Sequence, residues 1–172
     1  MSDDIPLEYL FVILAILILL SAFFSGTETA LMRVNKYRVR HLAKKGDKSA
    51  KLAEKLLKKP DKLIAFILLG TNLVNFIAAS LVGVVSMEIG GPTGVIVGTI
   101  LLTAVVLLFC ESIPKTVAAI FPEKIALPAS RIYHPLVKFT KPFLGIINFF
   151  TNMVLKLLGS GPNDQEEKIR YY

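Results

Sequence analysis

The 172-residue sequence contains no tryptophan and a single cysteine, and long parts of it carry no charged residue. One cysteine excludes an internal disulfide framework and a cysteine-based metal motif. A hydrophobic content of 53% and a mean hydropathy of +0.60 are unusual for a soluble fold of this length. The composition therefore favours a domain that folds in a lipid bilayer.

Three apolar stretches are each long enough to cross a bilayer, since a span needs about 20 mainly apolar residues. They are Ile5 to Phe24, Leu63 to Met87 and Pro92 to Cys110. The first is not typical of a cleaved signal peptide, because Asp3 and Asp4 stand where a basic segment is expected and the apolar run is too long. We interpret it as a retained helix, so the sequence predicts three transmembrane helices in an all-α membrane protein.

Basic residues are concentrated between the first two apolar stretches. Residues 33–62 hold 12 of the 20 lysines and arginines but only three of the 13 acids. A basic block can bind nucleic acid, but one between two spans is typical of a cytoplasmic loop that obeys the positive-inside rule. The sequence therefore predicts a multi-pass protein of the plasma (cell) membrane, with its N-terminus outside, its C-terminus in the cytoplasm and no nucleic-acid partner. Pro92 and its neighbouring glycines predict a tight external turn.

Two helical segments are expected outside the spans. Amphipathic patterns interrupted at Gly46-Asp47 and stopped at Pro60 predict a cytoplasmic helical hairpin under the membrane. Its lysines can attract the head groups of anionic membrane lipids, although most of them are expected to be simply solvated. From Pro128 to Gly159 a charge recurs every few residues, which favours an amphipathic juxtamembrane belt helix. The alternative for Phe143 to Leu158 is a short fourth span.

Polar residues inside the spans are candidate functional residues, because a polar group in lipid costs free energy. In the first span, Ser21 and Ser25 are four residues apart and share a helix face. Together with Gly26 they predict a bent or widened turn that frees a carbonyl oxygen as a ligand. The alternative is a packing face of small residues.

The second span contains two asparagines three residues apart, Asn72 and Asn75, in an otherwise apolar run. Amide oxygens are neutral, hard ligands that suit Mg²⁺ or Na⁺. For this segment alone, a hydrogen bond between helices explains the asparagines equally well.

The third span ends in the most specific pattern, Glu111 followed by Pro114 and Lys115. Pro114 removes the hydrogen bond to the carbonyl of Cys110, and a broken helix at membrane depth is typical of the ion sites of transporters. The alternative is that Glu111 forms an ion pair with Lys115 or with Arg33. One carboxylate combined with hydroxyl, amide and carbonyl oxygens binds a hard cation weakly enough to release it, which favours transport over storage.

Three motifs occur together in the spans. They are S-A-F-F-S-G-T-E-T-A-L at Ser21 to Leu31, G-T-N-L-V-N at Gly70 to Asn75 and E-S-I-P-K at Glu111 to Lys115. As a set and in this order, they resemble the transmembrane domain of the CorC / cyclin M (CNNM) family of Mg²⁺ transporters, and the resemblance covers nearly the whole chain.

This resemblance implies a homodimer that exports Mg²⁺ by alternating access, with Na⁺ as the coupling ion. It implies a transmembrane domain over residues 1–159 and a polar tail, 160–172, that leads towards cytoplasmic CBS modules absent here. Carried over by motif, the Mg²⁺ ligands are Ser21, Ser25, Asn72, Asn75 and Glu111. Helix-breaking, gating or ion-pair roles are expected for Gly26, Glu28, Arg33, Pro114 and Lys115.

Two other classes of function are alternatives to transport. A non-transporting Mg²⁺ sensor or membrane scaffold for regulatory modules remains the alternative. An intramembrane serine hydrolase is disfavoured, because neither His41 nor His134 lies in a spanning helix. The sequence therefore predicts no enzyme.

Overall fold

The computed structural model describes residues 6–139 and Met153. Every regular element in this part of the chain is a helix, which confirms the prediction of an all-α membrane domain. Two helical stretches are long and apolar enough to cross a membrane, Leu7–Arg33 and Lys62–Ile120. Only 17% and 6% of their most apolar windows are buried, so most of this apolar surface faces outward, unlike that of a soluble core helix.

The first helix, α1 (Leu7–Arg33), extends well beyond the predicted span. The widened turn predicted near Gly26 is wrong, because α1 stays α-helical throughout. The Thr27 hydroxyl donates to the carbonyl of Phe23 over 2.7 Å and the Thr29 hydroxyl donates to the carbonyl of Ser25 over 3.4 Å. These side chains use carbonyls of the preceding turn without opening it.

The predicted hairpin is confirmed as α2 (Lys36–Lys44) and α3 (Lys48–Leu57). Each helix begins at a polar cap: Asn35 accepts from two backbone N–H groups of α2, and Asp47 accepts from one in α3 over 2.9 Å. Gly46 adopts φ 100°, a conformation that side chains disfavour, and so allows the chain to reverse between the helices.

The next helix, α4 (Pro60–Val105), contains a sharp bend at Gly91, where φ is 58° and ψ is −150°. This bend confirms the predicted turn, whose external position stays a prediction, and it divides α4 into a first arm, residues 60–90, and a second arm, residues 92–105. A Cβ atom placed on Gly98 would clash with the side chain of Ser86. The second arm therefore folds back closely on the first, and α1 and the two arms correspond to the three predicted membrane crossings.

The second arm continues into a π-helical segment (Val106–Ser112), followed by α5 (Ile113–Ile120) and α6 (Pro122–Phe139). The break predicted near Pro114 takes the form of this π segment, which widens the helix without interrupting it. Helix α6 begins before Pro128, the predicted start of the belt helix. Apart from Met153, the alternative fourth span lies outside the described residues, and so does the polar tail.

The main core lies at the hairpin end of the bundle, where α1, α3, α4 and α6 meet. Its largest fully buried side chain is Tyr133 of α6. The ring of Tyr133 stacks on Phe23 with the centroids 5.8 Å apart, and Phe24 and Phe66 pack around it. A smaller cluster of Leu17, Val74 and Ala78 joins α1 to the first arm of α4.

Candidate cation site

Two of the predicted ligands meet between α1 and the first arm of α4. The hydroxyl of Ser21, 1% exposed, donates a hydrogen bond to Oδ1 of the half-buried Asn75 over 2.6 Å. This is the hydrogen bond between helices that the sequence left open as the alternative. It leaves lone pairs on both oxygens, because a hydroxyl and an amide carbonyl each have two. Both atoms can therefore still act as ligands.

Ser25 lies one turn further along α1, and its hydroxyl differs from the other buried polar groups. The residue is 1% exposed, and its Oγ has no hydrogen-bond partner in the described part of the chain. An unsatisfied buried hydroxyl costs about 1–3 kcal/mol, so such a group calls for a specific explanation. A packing face of small residues explains why Ser25 is buried but not why its oxygen is unpaired.

Cys110 brings the π segment into contact with α1 near Ser21. Its fully buried thiol donates to the carbonyl of Ile18 over 3.4 Å and lies within hydrogen-bonding range of Ser21. Nothing in the sequence singles out this role, because a lone cysteine in an apolar run belongs to no motif. The contact brings the third crossing against the pair formed by Ser21 and Asn75.

Glu111 directly follows Cys110 and is half-buried. Three residues later, Pro114 packs on α1: a Cβ atom on Gly26 would lie 3.3 Å from the Cβ of Pro114 and 3.4 Å from its carbonyl oxygen. Contacts on both sides of Glu111 thus reach α1, one near Ser21 and the other at Gly26. The backbone of Glu111 therefore runs alongside the turn of α1 that carries the two serines.

The carboxylate of Glu111 forms no salt bridge with the side chains that the structure describes, and both suggested partners, Lys115 and Arg33, are exposed. The ion-pair alternative is therefore not seen in this conformation. Among the described residues, no three His, Cys, Asp or Glu side chains are grouped to hold a metal. A cation held here would have mainly neutral oxygen ligands and one carboxylate.

Two predicted residues lie outside this group. Asn72 is exposed on the single chain, so its assignment as a ligand remains a prediction. Glu28 is half-buried and lies close enough to Tyr133 to affect its phenol electrostatically.

Tyr133 connects α6 to α1 just beyond the serines, and the sequence had no signal for it within its charged segment. Its hydroxyl lies 2.5 Å from Oγ1 of Thr27. Thr27 already directs its only hydroxyl proton towards the carbonyls of Phe23 and Phe24, so Tyr133 is the donor in this pair. Burial raises the pKa of Tyr133 to about 12, the bond to Thr27 opposes this rise, and the negative charge of Glu28 adds to it.

Comparison with known proteins places this chain in a family. Residues 12–170 match the family described as the cyclin M transmembrane N-terminal domain. The UPF0053 inner membrane protein YfjD of Escherichia coli K12 is 48% identical over 140 residues, which cover 81% of this chain and 33% of that protein. A UPF0053 protein of Haemophilus influenzae is 46% identical over 167 residues, which cover 97% of this chain and 40% of that protein.

A third relative, the polyamine export protein of Haemophilus influenzae, is 28% identical over 166 residues, which cover 88% of this chain and 38% of that protein. The chain thus spans between 33% and 40% of the length of these three relatives. The family match covers most of the chain and is a match to a membrane domain, not to a class of enzymes. The chain is therefore a membrane protein that belongs to the cyclin M (CNNM) family, in which it corresponds to the transmembrane N-terminal domain.

Proposed function

We propose that this domain transports Mg²⁺ and that the ion passes through a site formed by Ser21, Ser25, Asn75 and Glu111. The observation that carries the proposal is the buried and unpaired hydroxyl of Ser25, one helical turn from the hydrogen bond between Ser21 and Asn75. A cation beside Ser25 would give this oxygen the partner that the described protein does not supply.

The oxygen ligands of the proposed site suit a small, hard cation that must also dissociate during transport. Mg²⁺ prefers oxygen ligands and keeps several of its water molecules when it binds to proteins. Two hydroxyls, one amide and one carboxylate supply part of an octahedral shell and a single negative charge. Such a site holds a partly hydrated ion without trapping it. Na⁺ accepts the same neutral oxygens, so coupling of Mg²⁺ export to Na⁺ belongs to this proposal.

The π segment gives the site a place where its geometry can change. π-Helical turns are uncommon and frequently lie at functional sites, because their register differs from that of the flanking α-helix. Here the π segment ends at Ser112 and includes Cys110 and Glu111. A shift of this register would move Glu111 relative to the serines, which supports alternating access at the site.

A homodimer in the plasma membrane, with the hairpin in the cytoplasm, completes the proposal. Exposed apolar faces on all three crossings leave room for a second subunit as well as for lipid. From the family resemblance, cytoplasmic CBS modules are proposed to follow the domain in the full-length protein, and the greater length of the relatives leaves room for further domains.

The test is Mg²⁺ flux through the purified chain in proteoliposomes, with and without a Na⁺ gradient. Ser25→Ala and Glu111→Ala are expected to lower the flux at least tenfold, because each removes a ligand. Ser130→Ala is the matched control, since Ser130 is buried and donates to Ala126 within α6. Unchanged flux in both site variants would exclude the proposal, and Mg²⁺ binding without any flux would identify a sensor or scaffold instead.

Export of an organic cation is the second candidate, and it is favoured by the name of the polyamine export relative. Hydroxyl, amide and carboxylate oxygens also accept hydrogen bonds from an ammonium group. Flux of labelled spermidine in the same vesicles separates the two candidates. Spermidine flux that depends on Glu111 and is not inhibited by Mg²⁺ would assign the site to polyamines.

A further inference from the structure

A separate cavity lies in the hairpin, away from the candidate cation site. It has a volume of about 270 Å³ and is bounded by α2 and the end of α3. Its lining combines cationic, aromatic and aliphatic side chains, principally Lys36, Tyr37, Arg40, Glu54, Leu57 and Lys58. We refer to these six residues as the hairpin cleft.

The position of the hairpin cleft relative to the crossings indicates its depth in the membrane. Helix α1 has 27 residues, or about 40 Å at about 1.5 Å per residue, which matches a bilayer together with its head-group regions. Its last residue, Arg33, therefore lies among the lipid head groups. Lys36 follows Arg33 closely, and Lys58 stands just before the start of α4 at Pro60. The cleft thus opens where one crossing ends and the next begins.

The cleft carries a net positive charge and two lysines that are free to bind an anion. Three cations and one carboxylate line it, and Glu54 lies 3.5 Å from Nε of Arg40. Lys36 and Lys58 have no ion-pair partner among the described side chains. The nearby N–H groups of Tyr37 and Arg38 are already capped by Asn35, so an anion here would bind to side chains.

The uncharged part of the lining indicates what kind of anion fits. Tyr37 is 84% exposed and lines the same cavity as the buried Leu57. Tyrosine is enriched at membrane surfaces, because its ring packs on the glycerol region while its hydroxyl remains among polar groups. A free phosphate ion would use the lysines but not the ring. A phospholipid would use both.

We propose that the hairpin cleft binds the head group of an anionic phospholipid, with Lys36 and Lys58 on the phosphate and Tyr37 on the glycerol. The lipid would tie the hairpin to the membrane surface between the first two crossings. This inference does not depend on transport, since it concerns a different cavity and a different ligand.

The test is a titration of the purified chain, in a neutral detergent, with phosphatidylglycerol or phosphatidylcholine, with bound lipids counted by native mass spectrometry. Phosphatidylglycerol is expected to bind at least tenfold more tightly, and added salt should weaken it. The double variant Lys36→Gln/Lys58→Gln should lower this affinity by roughly 10- to 30-fold, because each lysine near a lipid surface adds to the attraction.

The matched control is Lys51→Gln/Lys55→Gln, which removes the same charge from exposed positions of α3 outside the cleft. This control should keep the lipid affinity within about twofold of that of the unmodified chain. Tyr37→Ala should weaken lipid binding without exposing buried core residues. An equal loss in the control, or no preference for phosphatidylglycerol, would overturn the proposal. Displacement of the lipid by millimolar inorganic phosphate would also overturn it and assign the cleft to a soluble anion.

Discussion

Ser25 offers a way to separate a role in ion binding from a role in packing. Ser25→Ala removes a buried hydroxyl that forms no hydrogen bond with the described residues, so we expect no loss of stability and a gain of up to about 1 kcal/mol. Mg²⁺ at 100 times its Kd should stabilise the unmodified chain by about 2.7 kcal/mol. In Ser25→Ala this stabilisation should disappear. Thermal unfolding in detergent, with and without Mg²⁺, measures both quantities.

The control for this prediction is Ser130→Ala. Ser130 is equally buried, but its hydroxyl donates to the carbonyl of Ala126 over 2.7 Å. Its removal should cost about 0.5–1.5 kcal/mol and leave the response to Mg²⁺ intact. If Ser25→Ala behaves like Ser130→Ala in both respects, Ser25 is a packing residue.

Tyr133 should make the stability of the domain depend on pH in the alkaline range. Its pKa is about 12 in the folded chain and about 10 when unfolded. Below pH 10 Tyr133 is protonated in both the folded and the unfolded chain, so its contribution to the free energy of unfolding is fully present there. Between pH 10 and 12 the unfolded chain loses the proton first, and stability falls.

Tyr133→Phe tests this directly. It should cost about 1 kcal/mol at pH 8, through the lost bond to Thr27, while the stacking on Phe23 is retained. Above pH 10 the variant should lose less stability than the unmodified chain. Unfolding curves at pH 8 and pH 11 check this, and equal losses in both proteins would show that other groups cause the alkaline effect.

At the residue scale, the sequence selected candidate ligands, and two of them are in contact in the structure. Ser21 and Asn75 were selected because polar residues are costly inside a span, and the structure places them in contact. Cys110 and Tyr133 were not found, because their roles depend on which helices become neighbours. A single sequence contains no direct record of those contacts.

At the element scale, the close approach of α1 and α5 at Gly26 should tolerate little added volume. A Cβ atom added at Gly26 would lie 3.3 Å from the Cβ of Pro114, so Gly26→Leu should separate the helices and cost about 1–3 kcal/mol. Gly83→Leu is the control, since a Cβ at Gly83 meets nothing within 4 Å. The unfolding temperature should decrease clearly for Gly26→Leu only. Equal decreases in both variants would mean that leucine destabilises either helix generally.

The bend in α4 should depend on the conformation of one glycine. Gly91 has φ 58° and ψ −150°, a combination that side chains disfavour strongly. We expect Gly91→Ala to cost about 1–3 kcal/mol. Gly90→Ala, one residue earlier and in open space, should be neutral or slightly stabilising. Comparing their unfolding temperatures tests whether the bend is fixed by Gly91 itself or by Pro92.

The same scale shows which elements a sequence can predict. Amphipathic patterns interrupted at Gly46-Asp47 and stopped at Pro60 are local signals, so the hairpin was predicted correctly. Of the two irregular helix turns that were predicted, the break near Pro114 is found as the π segment Val106–Ser112, whereas the widened turn near Gly26 is absent. The choice between α and π registers depends on packing between helices, here including the contact of Cys110 with Ile18. That contact has no local signature.

At the scale of the whole molecule, the charge distribution and the bend in α4 together predict the membrane topology. The basic hairpin and the acidic residue Glu88 lie at opposite ends of the first arm of α4. If that arm crosses the membrane, the two ends must lie on different sides, and the positive-inside rule places the hairpin in the cytoplasm.

Cysteine labelling in intact cells tests this topology. Glu88→Cys should react with a membrane-impermeant maleimide added outside, whereas Lys48→Cys should react only after the membrane is permeabilised. The unmodified chain is the blank, since Cys110 is fully buried and bonded to Ile18. The reverse pattern would invert the orientation and contradict the positive-inside argument. Labelling of both positions from the outside would show that the first arm is not a crossing, and a site assembled from three crossings would then be excluded.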